Sequence, residues 1–330
     1  MIMRNNKFKS IFKTGIVALG CLTIISGCSS KTSTETNEKV KTSGEEKIHI
    51  VTTFYPMYEF TKNIAGDKAE VELLIPSSIE PHEWEPSPKD MEKINNAEVF
   101  VYNSQYMETW VPKVEEAIND SKKPLFVKAS DGISLMEGIA EEEEGEEESH
   151  EHEDGHVMDP HVWLSPVLAQ KEVDNITQAL IKKDPENKEV YEKNSKDYIH
   201  QLQELDQQYH EGLDKFAGKE IITQHAAFGY LAKEYGLKQI PIAGLSPEEE
   251  PSPSRLAELK AFALDHNLHT IYFEELASPK VAQALASELD AKTKVLNTLE
   301  GLSKEDQAKG LNYIEEMTNN LKSLVETLSE

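Results

Sequence analysis

The sequence predicts an α/β protein of two lobes, with mainly parallel sheets flanked by helices and one long connecting helix between them. Short β-rich runs alternate with helical patterns through most of the chain, which is typical of βα units. One stretch, residues 185–216, breaks this rhythm with a long amphipathic pattern. The part from residue 48 to residue 330 is long enough for two domains of about 100 to 200 residues each.

Seven apolar runs carry the strand prediction. They are residues 48–51, 71–75, 99–102, 125–127, 221–223, 271–273 and 295–299. Two helix starts are marked by a serine followed by proline, at Ser87 and at Ser252, because serine caps a helix and proline fits its first position. These starts predict helices over residues 89–97 and 255–263.

The stretch 185–216 predicts one long helix. Its apolar residues recur at spacings of three, four or seven, with charged and amide side chains between them: Tyr191, Tyr198, Leu202, Leu205, Tyr209, Leu213 and Phe216. A helix of this length does not fit an ordinary crossover in a small α/β unit. We therefore place it as a connector between an N-terminal lobe, 48–184, and a C-terminal lobe, 217–330. A helix packed within one domain is the alternative.

The first 27 residues have the pattern of a cleaved secretory signal. Four basic residues precede a mostly apolar stretch, 16–25, and a Ser-Gly pair then precedes Cys28. The apolar stretch is shorter than the about 20 residues that span a membrane. We expect Cys28 to become the lipid-bearing first residue and to anchor the protein at the extracellular face of the cell membrane. Residues 28–47 are almost entirely polar and predict a disordered tether.

Charge and cysteine content limit the classes of partner and of metal site that we expect for this chain. The formal net charge is −26, which argues against nucleic acid or anionic lipid and mildly favours cations, although solubility alone also accounts for it. The two cysteines are Cys21, which leaves with the signal, and Cys28. Neither a disulfide framework nor a cysteine-ligated zinc site is therefore expected. A bound metal must use nitrogen and oxygen ligands.

Three histidines lie in loop-like contexts just past apolar runs, and together they are candidates for one dispersed metal site: His82, His161 and His225. Ligands gather at the carboxyl ends of parallel strands, and both His225 and Glu300 follow predicted strands. Two candidates from each lobe would place a cation in the cleft between the lobes. Three imidazoles with one carboxylate suit tetrahedral zinc, whereas manganese prefers more oxygen.

The identity of the fourth ligand stays open on local grounds. Glu274 and Glu275 end the run 271–273 and compete with Glu300 on equal terms. A lone loop histidine is also more often a surface or hydrogen-bonding group than a ligand. Spacing alone does not decide between these alternatives.

Residues 141–156 form an acidic run that contains nine glutamates together with His150, His152 and His156. A packed core does not accommodate such a run, and we interpret it as a disordered loop for auxiliary metal capture. A solvated insertion without a role in affinity is the alternative. Its HEDGH segment matches the H-E-x-x-H pattern of zinc proteases, but that chemistry needs a helix, which a glycine within a charge run does not favour.

Four separated segments resemble the signature motifs of a known family: PHEWEPSP (81–88), DPHVWL (159–164), QHAAFGY (224–230) and LEGL (299–302). They are similar to those of the zinc-binding lipoproteins of ABC importers, the ZnuA and AdcA type among the cluster A-I solute-binding proteins. The four motifs occur in the family's order, with a His/Glu run just before the second. The chain departs from the family pattern at Thr298, where relatives often have proline.

The resemblance implies two α/β lobes joined by a rigid helix, with Zn2+ bound between them at His82, His161, His225 and Glu300. It therefore favours Glu300 over Glu274. It further implies a receptor that delivers zinc to an ABC permease, and not an enzyme. We also expect a monomer. A manganese receptor of the same family and a surface adhesin that zinc stabilises are the alternatives.

Overall fold

The computed structural model describes residues 47–118, 123–138, 157–248 and 251–330. This part of the chain contains two four-stranded parallel sheets flanked by helices. The predicted α/β class, with two parallel sheets and one long helix between them in the chain, is confirmed. Within these ranges, no helix combines the length and the apolar character needed to cross a bilayer.

The first sheet is built from the N-terminal strands. Its elements are β1 (Ile48–Thr52), α1 (Tyr55–Ala65), β2 (Ala69–Leu73), α2 (Pro88–Asn96), β3 (Val99–Tyr102), α3 (Val111–Ala117) and β4 (Leu125–Lys128). The strand order is β2-β1-β3-β4, and the three pairings are parallel. Helix α2 begins where the Ser-Pro pair predicts it, because Ser87 and Asp90 form a reciprocal capping box.

The second sheet repeats this arrangement. Its elements are β5 (Glu220–Thr223), α6 (Gly229–Glu234), β6 (Lys238–Pro241), α7 (Pro253–Asp265), β7 (Thr270–Phe273), α8 (Lys280–Leu289), β8 (Lys292–Val295) and α9 (Lys304–Lys309). The strand order is β6-β5-β7-β8, again with parallel pairings. In each sheet the chain winds outward in both directions from its first strand. Such a switch point leaves a crevice at the carboxyl ends of the strands, where ligands bind.

Two strand predictions need correction, and one observed strand has no prediction. The strand predicted over 71–75 lies two residues earlier, as β2. The strand predicted over 295–299 is wrong, because β8 ends at Val295 and the next residues form a loop that buries Leu296 and Leu299. Strand β6 has no counterpart among the predicted strands, since half of it is polar and a proline ends it. Both β6 and β8 are edge strands, where lysine and proline are tolerated and the apolar signal is weak.

The long helix is α5 (Lys188–Leu213), with a 3-10 turn at each end. Its 26 residues span about 39 Å at the standard rise. One side is buried, as the apolar spacing predicts, at Tyr191, Tyr198, Leu202, Leu205, Tyr209 and Leu213. Helix α5 packs against α1, α4 (Pro166–Lys183) and α10 (Tyr313–Leu328). It therefore contacts elements that precede it and an element that follows the second sheet.

One hydrophobic core runs through both halves of the chain from residue 48 onwards. Phe60 of α1 packs edge to face against Tyr313 of α10, with ring centroids 5.0 Å apart. The Tyr313 hydroxyl donates to the backbone oxygen of Trp163, and the Tyr209 hydroxyl donates to that of Met317. Buried apolar surface, in addition to the chain connection, therefore holds the two sheets together.

Candidate metal centre

Four side chains from loops near the strand ends meet at one point. His82 lies between β2 and α2, and His161 precedes the 3-10 turn Val162–Leu164 that leads into α4. His225 comes two residues after β5, and Glu300 lies between β8 and α9. Within the described residues, these four form the one group of three or more potential ligands close enough to share a metal ion.

Five of the distances between the donor atoms are those of a tetrahedral metal site, and all four atoms lie within 4.8 Å of one another. The Nε2 atom of His161 lies 3.2 Å from that of His82 and 3.3 Å from that of His225. The Oε1 atom of Glu300 lies 3.2, 3.4 and 3.5 Å from the Nε2 atoms of these histidines in chain order. Ligands about 2.0 to 2.1 Å from zinc at tetrahedral angles are about 3.3 Å from one another. The four atoms can therefore share one such ion.

The centre is closed on most sides. His161 and His225 have no exposed surface, and Glu300 is 2% exposed. The side chain of His82 is 9% exposed, the largest value of the four. A site from which water is largely excluded strengthens the interaction of each donor with a cation. Solvent reaches the centre chiefly at His82.

Carboxylates behind two of the histidines fix the orientation of the rings. The Nδ1 atom of His161 lies 2.8 Å from Oδ1 of Asp159, which also accepts from the His161 backbone N–H at 2.9 Å. The Nδ1 atom of His225 lies 2.6 Å from Oε1 of Glu274. A proton shared between Nδ1 and a carboxylate leaves the Nε2 lone pair free for a metal. Sequence reasoning missed both carboxylates in this role, although the position of Asp159 two residues before His161 was a usable signal.

Close contacts fix the loop of Glu300. The Thr298 hydroxyl donates to Oε2 of Glu300 at 3.1 Å, so the second carboxylate oxygen has a partner of its own. A Cβ atom at Gly301 would lie 2.2 Å from the backbone oxygen of Ser77, in the loop that leads to His82. Only glycine permits so close an approach. The loops that carry Glu300 and His82 are therefore in backbone contact.

Burial and charge set the protonation of the four side chains before a cation binds. Burial lowers the pKa of His82. Burial also acts to lower the pKa of His161 and His225, but their carboxylate neighbours outweigh it and raise both values. Burial acts to raise the pKa of Glu300, but hydrogen bonds from the three histidines hold it well below its usual range. Without a bound cation, His161 and His225 therefore stay in the cationic form, with both ring nitrogens protonated, to higher pH than an ordinary histidine does.

Most of the chain matches one protein family. Residues 50–327 match the family described as zinc-uptake complex component A, periplasmic. The chain belongs to this zinc-uptake family. The family consists of solute-binding receptors of ABC importers and not of enzymes.

Individual members of the family are similar over most of this chain. The high-affinity zinc uptake system protein ZnuA of Bacillus subtilis is 59% identical over 315 residues, which cover 94% of this chain and 96% of that protein. The zinc-binding lipoprotein AdcA of Streptococcus pneumoniae is 51% identical over 284 residues, which cover 86% of this chain but 56% of that protein. The chain thus spans just over half of the length of AdcA.

A solved structure of the zinc-uptake family has the same fold. The crystal structure of the Zn(II)-bound ZnuA-like domain of Streptococcus pneumoniae AdcA superposes with a TM-score of 0.73 and 48% sequence identity. The match covers 86% of this chain and 100% of that domain.

The geometry separates the carboxylates that compete in the sequence. Glu300 is the one that reaches the three histidines, whereas Glu274 lies behind His225 on its Nδ1 side. Glu275 is exposed and interacts with Asp306 of α9. The other predicted site residues lie outside the described residues: Cys28, His150, His152 and His156.

Proposed function

We propose that this protein is an extracellular receptor that captures Zn2+ between its two lobes and delivers it to an ABC permease. His82, His161, His225 and Glu300 each donate one atom to the ion. The observation that carries the proposal is that these donor atoms lie within 4.8 Å of one another, with five separations of 3.2 to 3.5 Å that are close to the edge of a zinc tetrahedron. Membership of the zinc-uptake family supports the delivery step.

The ligand set favours carriage over catalysis. A zinc hydrolase keeps one coordination position for a water molecule, whereas a binding site uses protein ligands throughout. Three imidazoles and one carboxylate fill four positions and leave none for a reacting water. Glu300 offsets one unit of the charge of the ion, and the neutral imidazoles supply the remaining donors.

The same donors favour zinc over manganese as the cargo. Imidazole suits zinc, whereas manganese prefers carboxylate, carbonyl and water oxygen in octahedral geometry. Three nitrogens in a set of four therefore argue against a manganese receptor. The Zn(II)-bound structure of the similar AdcA domain supports this choice.

We further propose that a lipid on Cys28 holds the mature receptor at the extracellular face of the membrane. Residues 28–47 serve as the tether, and the lobes 48–184 and 217–330, joined by 185–216, act as a monomer. The name of the similar lipoprotein AdcA supports the anchor. The histidines of the run 141–156, His150, His152 and His156, serve as auxiliary groups that capture metal weakly.

Zinc affinity should fall as the pH falls, starting above the ordinary histidine pKa of about 6.5. His161 and His225 have raised pKa values, and a protonated Nε2 cannot bind zinc, so the ion must displace protons on binding. Calorimetry in buffers of different ionisation enthalpy, from about pH 5.5 to about pH 8, measures the protons released. A constant affinity without proton release would exclude these two imidazoles as ligands.

Metal analysis and growth together test the whole proposal. A variant that lacks residues 141–156 should still bind one zinc ion per chain tightly and should prefer zinc to manganese in competition titrations. Cells without the gene should grow poorly under chelation and recover when zinc is added. Normal growth in a strain without a second receptor would count against transport. An adhesin, by contrast, would bind a host macromolecule whether or not zinc uptake is intact.

A further inference from the structure

Thr298 touches both the carboxylate of the centre and the opposite half of the molecule. Its hydroxyl donates to Oε2 of Glu300 at 3.1 Å, and its backbone oxygen accepts from Nε1 of Trp163 at 2.8 Å. Thr298 is 3% exposed, so little water competes for either bond. Hydrogen bonds to a charged group in such surroundings are stronger than those between neutral groups.

The surrounding loop holds Thr298 in place independently of any metal. Leu299 has a φ of 54°, in the left-handed region that leucine rarely adopts. Its N–H donates to Oδ1 of Asn297 at 2.8 Å. Asn297 in turn donates through its backbone N–H to the side chain of Asn320 and accepts from that side chain through its backbone oxygen. A network that includes Asn320 of α10 therefore holds the backbone on both sides of Thr298.

The two oxygens of Glu300 have different partners. Oε1 lies within 3.5 Å of the three Nε2 atoms, whereas Oε2 accepts from Thr298. A carboxylate restrained in this way offers a metal one oxygen. Two oxygens would raise the coordination number to five, which moves the site away from the tetrahedron of zinc and towards the oxygen-rich, higher-coordinate shell of manganese.

We propose that Thr298 is a positioning residue that restricts Glu300 to one-oxygen coordination and thereby increases the preference of the centre for Zn2+ over Mn2+. This inference rests on the proposed zinc site. It concerns a position where the chain departs from the family pattern, since proline has no hydroxyl to donate. The restraint acts on Oε2, the carboxylate oxygen that accepts from Thr298, so removing it should alter metal selectivity more than it alters folding.

The variants Thr298→Val and Thr298→Ser distinguish the effect of the hydroxyl group from the effect of the side-chain shape. Valine keeps the branched shape and the backbone oxygen that Trp163 needs, but it has no donor, whereas serine keeps the donor. Thr298→Val should lose about tenfold in zinc affinity, at the lower end of the effects of outer partners of metal ligands. Its zinc-to-manganese affinity ratio should fall by a similar factor. Thr298→Ser should stay within about threefold of the wild type on both measures.

The visible absorption of bound cobalt(II) reports the coordination number of the centre. The wild type and Thr298→Ser should give the intense visible absorption of four-coordinate cobalt, and Thr298→Val should give the weaker absorption of a five-coordinate ion. Equal zinc-to-manganese affinity ratios and equal cobalt spectra in the wild type and the valine variant would overturn the role of Thr298. The proposed zinc site would still stand in that case. Failure of the wild type to bind zinc at all would instead overturn the proposed function. If the valine variant is unstable, Thr298→Ala provides the same comparison without the hydroxyl.

Discussion

His225→Ala should lower zinc affinity by more than about a hundredfold, because even the outer partners of metal ligands change affinity by about 10- to 100-fold. The substitution removes one donor of four from a residue with no exposed surface. It also leaves Glu274, which is 3% exposed, without the imidazole it now contacts. A buried carboxylate without its partner is destabilising, so the metal-free protein should also lose stability. Competition with a chelator of known affinity measures the first effect, and chemical denaturation measures the second.

His200→Ala is the matched control for this experiment. His200 lies on α5 with its side chain 69% exposed and contacts Glu204 one turn away. Its removal should leave zinc affinity unchanged, since exposed pairs of this kind contribute little. Equal affinities for the two variants and the wild type would remove His225 from the ligand set.

Trp163→Ala should lower the free energy of unfolding by about 3 to 5 kcal/mol, the usual range for a large buried aromatic residue. Trp163 has no exposed surface, and its ring centroid lies 4.9 Å from that of Phe54 and 5.2 Å from that of His161. Its indole N–H also donates to the backbone oxygen of Thr298. Denaturant unfolding of the metal-free protein measures this loss of free energy. The loss includes both the packing of the indole and the carbonyl of Thr298 that is left without a partner.

A second pair of variants isolates the indole hydrogen bond. Trp163→Phe keeps an aromatic ring but removes the N–H that joins the two halves. Trp110→Phe makes the same change at a largely buried indole whose N–H has no hydrogen-bond partner within the described residues. The first variant should be less stable than the second by about 1 to 3 kcal/mol, the cost of an unsatisfied buried polar group. Equal losses at the two positions would show that the bond to Thr298 contributes nothing.

An interior strand that is largely buried has the clearest signal in the sequence. Residues 99–102 read Val-Phe-Val-Tyr and form β3 in the interior of the first sheet. The edge strand β8 reads Lys-Thr-Lys-Val and has little apolar character. The apolar residues follow in the next loop, where Leu296 and Leu299 are buried without strand geometry. Apolar residues therefore report burial reliably, but they do not distinguish a strand from a buried loop.

The histidine motifs locate the site in the sequence, but only the topology explains why the motifs meet. His82 and His161 are 79 residues apart, and His161 and His225 are 64 apart. Glu274 and Glu300 both follow strands, and their local sequences do not rank them. The left-handed backbone at Leu299 and the approach of Gly301 to Ser77 decide between them, and both depend on tertiary contacts.

The core shared by the two halves limits how the protein can change shape. Moving the lobes apart would expose Phe60, Trp163 and Tyr313, each of which is fully buried. At about 1.5 to 3 kcal/mol per large side chain, this exposure alone would approach the total stability of a typical domain. A wide swing of the lobes is therefore too costly to signal that the receptor is loaded. Under the proposed function, a docking permease would recognise the filled state at the surface around His82, the most exposed of the four side chains. The ion would leave through local displacement of the loop that carries this residue.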